Sequence, residues 1–181
     1  MPSPLGHFTV AYLIYKSKKT LSLPALIVGS VISDSDLLLD YLTGGRLGRE
    51  LLHSFIGGGI FGTVASSLLT VLFYPLIVSA LFSIRREDAR QACKLSKTLV
   101  VSSFIGCLSH VLVDSTCHNY NPLLYPFTRQ SIDILLLPYD WGLLYIVVEI
   151  LLFAILLTVL VVDFSKKGFQ GFWKRILIGS D

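Results

Sequence analysis

His110, Asp114 and His118 stand four residues apart in HVLVDSTCH, within a stretch that is almost wholly apolar from Val100 to Pro126. Residues four apart stack on one face of a helix, so an imidazole and a carboxylate lie side by side there. That pair of groups suits zinc, iron or manganese. An ionisable group in apolar surroundings is costly unless it is paired, hydrogen-bonded or metal-bound. A hydrogen-bonded His–Asp pair that ties two helices together would use the same residues, so the motif alone leaves both readings open.

Other segments carry groups of the same kind. Asp34 and Asp36 occur in VISDSDLLLDYL. On a continuous helix they point to nearly opposite sides, so both can face one metal only if the helix frays there; Asp36 and Asp40 share a face instead. In GRLGRELLHSF, Arg49 precedes His53 by four residues, which suits a ligand beside an anion-binding group. Arg46 and Arg49 could grip a phosphate by paired hydrogen bonds, or snorkel to a membrane interface. Glu149 is a lone carboxylate in an apolar run. Pairing with an arginine or histidine of a neighbouring helix comes first for it, and a metal-ligand or general-base role second. HExxH and GxSxG motifs are absent, which leaves zincin-type proteolysis and serine hydrolysis unsupported. Gly57 to Gly59 permit close helix approach but lack the lysine of a nucleotide-binding loop. The basic residues form no nucleic-acid-binding surface.

The elements that position these groups follow from composition. The chain has 181 residues, of which 53% are hydrophobic and 15% charged, with mean hydropathy +0.70. These values place it in the membrane class. Phe55 to Ile84 contains no charge and is long enough for a hydrocarbon core of about 30 Å even when tilted. Leu143 to Val162 holds only Glu149, and the uncharged runs Leu21 to Ser33 and Leu99 to Val113 lead into the acidic and His/Asp motifs. Gly6 to Tyr15 is too short to span. The expected fold is an all-α integral membrane bundle of about four transmembrane helices plus a short N-terminal half-helix, as a single domain over residues 1–181. The N-terminus lacks a basic region and places His7 where a signal peptide would be apolar, so no cleavable signal is expected. Three scattered cysteines argue against a disulfide framework.

Three basic clusters mark the segment ends: Lys16, Lys18 and Lys19; Arg85, Arg86, Arg90, Lys94 and Lys97; and Lys166, Lys167, Lys174 and Arg175. Cytoplasmic loops carry excess Lys and Arg, so all three clusters and the C-terminus are expected inside the cell membrane. His7, Asp34, Asp36, His53, His110, Asp114, His118 and Asp140 then fall at or near the outer ends, with Arg46, Arg49 and Arg129. All 4 histidines of the chain are in that set.

Read together, His7, the Asp34/Asp36 pair, RELLHS from Arg49 to Ser54, and HVLVDSTCHNYNPLLYPF from His110 to Phe127 resemble a family of small prokaryotic proteins described as predicted membrane-bound metal-dependent hydrolases. Ser33 departs from the proline usual in that family before the Asp pair, and the His118 position varies among its members. The order His7, Asp36, His53, His110, Asp114, His118 is also similar to that of zinc-dependent phospholipase C. These resemblances imply two or more divalent ions, zinc first and manganese or iron next. His7, Asp36, His53, His110 and Asp114 would hold them, with Asp34 and His118 as further ligands. The implied reaction is attack of a metal-activated water on a phosphoester in a membrane lipid or lipid-linked substrate. Arg49, with Arg46 or Arg129, would hold the phosphate charge, and Asp140 or Glu149 would serve as base or outer partner. An amide hydrolase, a metal-binding or transport protein without catalysis, and a purely structural His–Asp pairing remain the alternatives. Homo-oligomerisation is left open.

Overall fold

The computed structural model describes residues 3–44, 50–132 and 140–180. The chain is all-helical, 74% helix, with no strand among the described residues. Helix α1 (Pro4–Ser17) starts on Ser3, whose Oγ accepts from the Gly6 amide at 3.3 Å, with Pro4 preset for the first turn. A tight turn returns the chain into α2 (Leu23–Ile32), which packs against α1. His7 and the Asp34/Asp36 segment therefore lie at the same end of this hairpin.

Helix α2 covers only part of the expected Leu21 to Ser33 span. Its 10 residues reach about 15 Å. The Ser–Asp–Ser run, whose side chains compete for backbone groups, then passes through a 3₁₀ turn (Ser33–Ser35) before α3 (Asp36–Thr43) begins. The fraying that Asp34 and Asp36 required is thus built in. Phe55 to Ile84 is likewise not one continuous helix. It forms a π-helical segment (Gly57–Gly62), α4 (Thr63–Leu72) and α5 (Tyr74–Phe82), bent by 49° between the last two. Pro75 accounts for the bend, because its ring lacks an N–H and collides with the carbonyl four residues earlier.

After the short α6 (Arg86–Ala92), α7 (Lys97–Ser115) starts on the Ser96 cap and α8 (Trp141–Lys167) on the Asp140 cap; α9 (Phe172–Ile178) closes the chain. Two helices, α7 and α8, are long and apolar enough to cross a membrane, and a third crossing results if the bent pair acts as one span. These counts fall short of the four expected spans, since α2 is too short; α1 is short as expected. Over half of α7 is buried in the bundle, whereas only 6% of α8 is. Helix α8 therefore presents its apolar side chains to whatever surrounds the bundle.

The tightest packing is between α2 and α7. A Cβ added at Gly29 would lie 2.5 Å from the Ser103 carbonyl oxygen, and one at Gly106 would lie 2.6 Å from that of Leu26. Backbone touches backbone here, the arrangement that small residues permit between membrane helices. Gly106→Val is expected to lower stability by about 3 kcal/mol or more, because neither carbonyl can retreat. Gly59→Ala, whose new Cβ would meet the Phe104 ring edge at 3.4 Å and Leu108 Cδ2 at 3.9 Å, both side-chain contacts, is expected to stay within about 1 kcal/mol of wild type. Thermal unfolding of both variants in detergent checks the contrast.

Candidate metal centre

One turn beyond Gly106, the α2–α7 crossing brings the His110 ring against the end of α2. Its Nδ1 lies 2.8 Å from the Ser30 carbonyl oxygen, which can only accept, so the proton sits on Nδ1. In the neutral ring, Nε2 then carries a bare lone pair. His53 is oriented in the same way by a different group. Its Nδ1 lies 2.6 Å from Asp36 Oδ2, and a carboxylate there also takes the Nδ1 proton.

The two Nε2 atoms approach each other. His110 Nε2 and His53 Nε2 are 3.1 Å apart, and Asp114 Oδ2 lies 3.0 Å from His53 Nε2 and 3.9 Å from His110 Nε2. With both rings neutral, three lone-pair atoms face one another with no proton between them. Such a cluster is repulsive unless a cation sits among the three atoms or one ring takes a second proton.

His7 adds a further donor atom from α1. Its ring stacks on His110 with centroids 4.0 Å apart, and its Nε2 is 3.9 Å from Asp114 Oδ1. The side chain is only 1% exposed, yet neither ring nitrogen has a hydrogen-bond partner. An unmade hydrogen bond at a buried polar atom is costly, and a metal ion on the lone-pair nitrogen would remove one of the two deficits.

Two sets of ligand atoms lie within 4.8 Å of one another: His7, His110 and Asp114, and Asp34, His53 and His110. His110 belongs to both, with Nδ1 committed to Ser30, so Nε2 alone serves them. Asp114 turns Oδ1 toward His7 and Oδ2 toward His53, so its carboxylate faces both rings. The residues present therefore fit a divalent cation: imidazole nitrogens with fixed tautomers, carboxylate oxygens, and a second shell already in place. The cluster is sealed apart from two rims, Asp34 (19% exposed) and His118 (23%).

The other expected residues are distributed as follows. Asp36 supports His53, so its Oδ2 acts on the ring's far side. His118 Nε2 stands 3.8 Å from Asp114 Oδ2, and its carbonyl accepts from Asn121 Nδ2 at 2.7 Å. Glu149 pairs with neither an arginine nor a histidine in a direct contact; it accepts from the Ser3 amide at 3.0 Å and from Ser3 Oγ, and so anchors the start of α1 beneath His7. Asp140 Oδ1 accepts from the Gly142 and Leu143 amides at 2.8 and 3.2 Å as the exposed cap of α8. These hydrogen bonds are those of a helix cap, and neither joins it to a cluster residue. Arg129 lies 3.5 Å from Glu50 and is 71% exposed. Arg46 and Arg49 fall outside the described residues.

Sequence reasoning missed the Ser30 carbonyl, Ser3, Asn121 and Glu50. A backbone acceptor leaves no trace in residue type. Asn121 could have been suspected from the turn HNYNP, where it caps the α7 end through the Ser115 and His118 carbonyls. Tyr120 donates to Glu50 at 3.2 Å, and burial together with that carboxylate raises its hydroxyl above the usual tyrosine range.

Asp36→Ala removes the group that fixes the His53 tautomer, and metal affinity is expected to fall by about 10–100-fold. Asp140→Ala is expected to leave it unchanged. Competition titrations against a chelator separate the two.

No curated protein and no solved structure matches the chain. Residues 1–170 match the family described as a domain of unknown function, DUF4184, and the chain belongs to that family.

Proposed function

We propose that this protein is a membrane-embedded, metal-dependent hydrolase that cleaves a phosphoester in a lipid or lipid-linked substrate near the outer membrane interface. The observation that carries the reading is the convergence of His110 Nε2, His53 Nε2 and Asp114 Oδ2, 3.0–3.9 Å from one another, beside a His7 ring whose nitrogens have no hydrogen-bond partner. The resemblance of the His7, Asp34/Asp36, RELLHS and HVLVDSTCH blocks to metal-dependent hydrolases supports it from the sequence side.

In this reading His7, Asp34, His53, His110 and Asp114 hold one or two divalent ions, zinc first. Asp36 and the Ser30 carbonyl keep both imidazoles facing inward. Glu149, through Ser3, keeps α1 and hence His7 in register. When bound, such ions supply an acidified water at neutral pH and polarise a phosphoryl oxygen. His118 stands at the rim. Arg129, with Arg46 and Arg49, supplies positive charge for the non-reacting phosphate oxygens. The three basic clusters support a cytoplasmic position for the opposite end of the bundle, and the bent α4–α5 pair would add a third crossing to α7 and α8.

A second reading is favoured by the same geometry. If His53 holds protons on both nitrogens, Asp36 and Asp114 both accept from it, and the cluster is a buried ion-pair network without metal. Transport is less well supported. The buried hydroxyls of Ser66 and Thr70 on α4 and of Ser102 on α7 donate to carbonyls of their own helices. They satisfy themselves and line no path of exposed ligands.

Metal analysis of the detergent-purified protein after removal of loose ions tests the reading. Wild type is expected to retain at least one equivalent, with His53→Ala, His110→Ala and Asp114→Ala losing it. Hydrolysis of phospholipid micelles by the loaded protein is expected to fall by about 100-fold or more in each variant. A metal-free wild type that stays metal-free after reloading would leave the ion-pair network as the better account.

A further inference from the structure

At the end of α1 remote from His7, a groove of about 380 Å³ lies between α1 and α8. Lys16, in the last turn of α1, and Lys19, in the turn that follows, line one side of it. Lys166 and Lys167, in the last turn of α8, line the other. Val162 and Val159, one and two turns earlier on α8, continue that wall into the apolar span. Residues four apart share a helix face, so Val162 is aligned with Lys166, and Val159 and Asp163 with Lys167. Over about 12 Å of helix the wall thus changes from valine to lysine. Asp163 is the one carboxylate in the lining. It is buried, its Oδ2 accepts from Arg175 Nε at 2.9 Å, and its Oδ1 lies 3.4 Å from Lys16 Nζ.

We propose that this groove binds one anionic phospholipid of the surrounding leaflet, with its phosphate among the four lysines and an acyl chain along Val159 and Val162. The site stands at the opposite end of α1 from the His/Asp cluster and does not depend on the metal reading. Charge complementarity carries it. The lining holds 4 lysines against one carboxylate, and that carboxylate already pairs with a buried guanidinium. Lysines at span ends are ordinary markers of orientation, but orientation only requires them to sit in the loops. Here two pairs from opposite ends of the sequence converge on one cavity. Lysines near a membrane surface attract anionic head groups. A free phosphate would use the lysines alone and a neutral lipid the valines alone, whereas an anionic phospholipid uses both. Only 6% of α8 is buried in the bundle, so a lipid gripped from both sides would reinforce the Lys16–Asp163 contact that holds α8 to α1.

Titration of the detergent-purified full chain with phosphatidylglycerol, phosphatidylcholine and glycerol phosphate, at about 0.15 M salt, tests this. Phosphatidylglycerol is expected to bind at least about tenfold more tightly than the other two. Lys16→Gln with Lys19→Gln, and Lys166→Gln with Lys167→Gln, are each expected to weaken it by about tenfold or more. The α8 pair leaves the Lys16–Asp163 contact in place, so its effect is separable from any loosening of α1. Arg86→Gln with Arg90→Gln removes the same charge from exposed positions of α6 outside the groove, and is expected to bind as wild type. Val162→Trp, which fills the apolar wall, is expected to weaken phosphatidylglycerol by about tenfold and leave glycerol phosphate unchanged. Equal affinity for glycerol phosphate would overturn the proposal in favour of a free-anion site. Equal affinity for phosphatidylcholine would overturn it by removing the role of the lysines. An equal loss in the α6 pair would overturn it by reducing the effect to general attraction by a basic surface.

Discussion

Everything at the candidate centre depends on how closely α2 and α7 approach. Gly29 and Gly106 face each other across a crossing where either Cβ would meet a carbonyl oxygen at about van der Waals violation, 2.5–2.6 Å. In a membrane the hydrophobic effect does not drive helices together, so close packing and interhelical hydrogen bonds must do so. The crossing supplies the first. The His110–Ser30 contact and the Ser22 amide donating to Ser102 Oγ at 2.9 Å supply the second at its two ends. A wider crossing would leave the His110 ring without its acceptor and free its tautomer.

From that one orientation the remaining geometry follows as proton accounting. Each imidazole has two nitrogens, and the neutral ring carries one proton. With the Nδ1 protons of His110 and His53 held toward the Ser30 carbonyl and Asp36, a neutral ring leaves its Nε2 as an acceptor near Asp114. A second proton on His53 instead makes its 3.0 Å contact with Asp114 an ion pair. The buried His7 ring nitrogens lack a hydrogen-bond partner, and they stand with His110 and Asp114 in a group that could hold a metal ion.

The far end of the bundle is held by different means. Arg175 of α9 donates from Nε to Asp163 of α8 at 2.9 Å and from Nη2 to the Gly168 carbonyl at 2.8 Å, while Lys16 of α1 lies 3.4 Å from the same Asp163. Tyr74 donates to the Leu177 carbonyl at 2.9 Å. Buried ion pairs are seldom a large net source of stability, but breaking one is costly, so they fix register. Helix α8, barely buried along its length, is thus pinned at both ends: by Glu149 to the start of α1, and by Asp163 to α9 and the end of α1. The two chains of contact hold α1, and with it His7, against the rest of the cluster.

Residue type and spacing determined the helical, membrane-directed character of this chain, because long uncharged runs have few other solutions in water or lipid. They also singled out His7, Asp34, Asp36, His53, His110 and Asp114 as chemically suspect, because ionisable side chains are rare in apolar surroundings. Hydropathy alone did not reveal the shortness of α2 or the bend near Pro75, since it measures apolar length; the proline itself was the residue-level signal of that bend. Nor could spacing sort roles within the suspect set. Asp36 orients, Asp140 caps, Glu149 anchors, and Ser30 takes part through a backbone carbonyl that any residue carries. These roles are decided by which atoms lie within about 3 Å of one another. Residues 30 and 36, residue 53, and residues 110 and 114 come from three separate stretches of the chain, and the glycine-lined crossing of α2 and α7 brings the first and the last together.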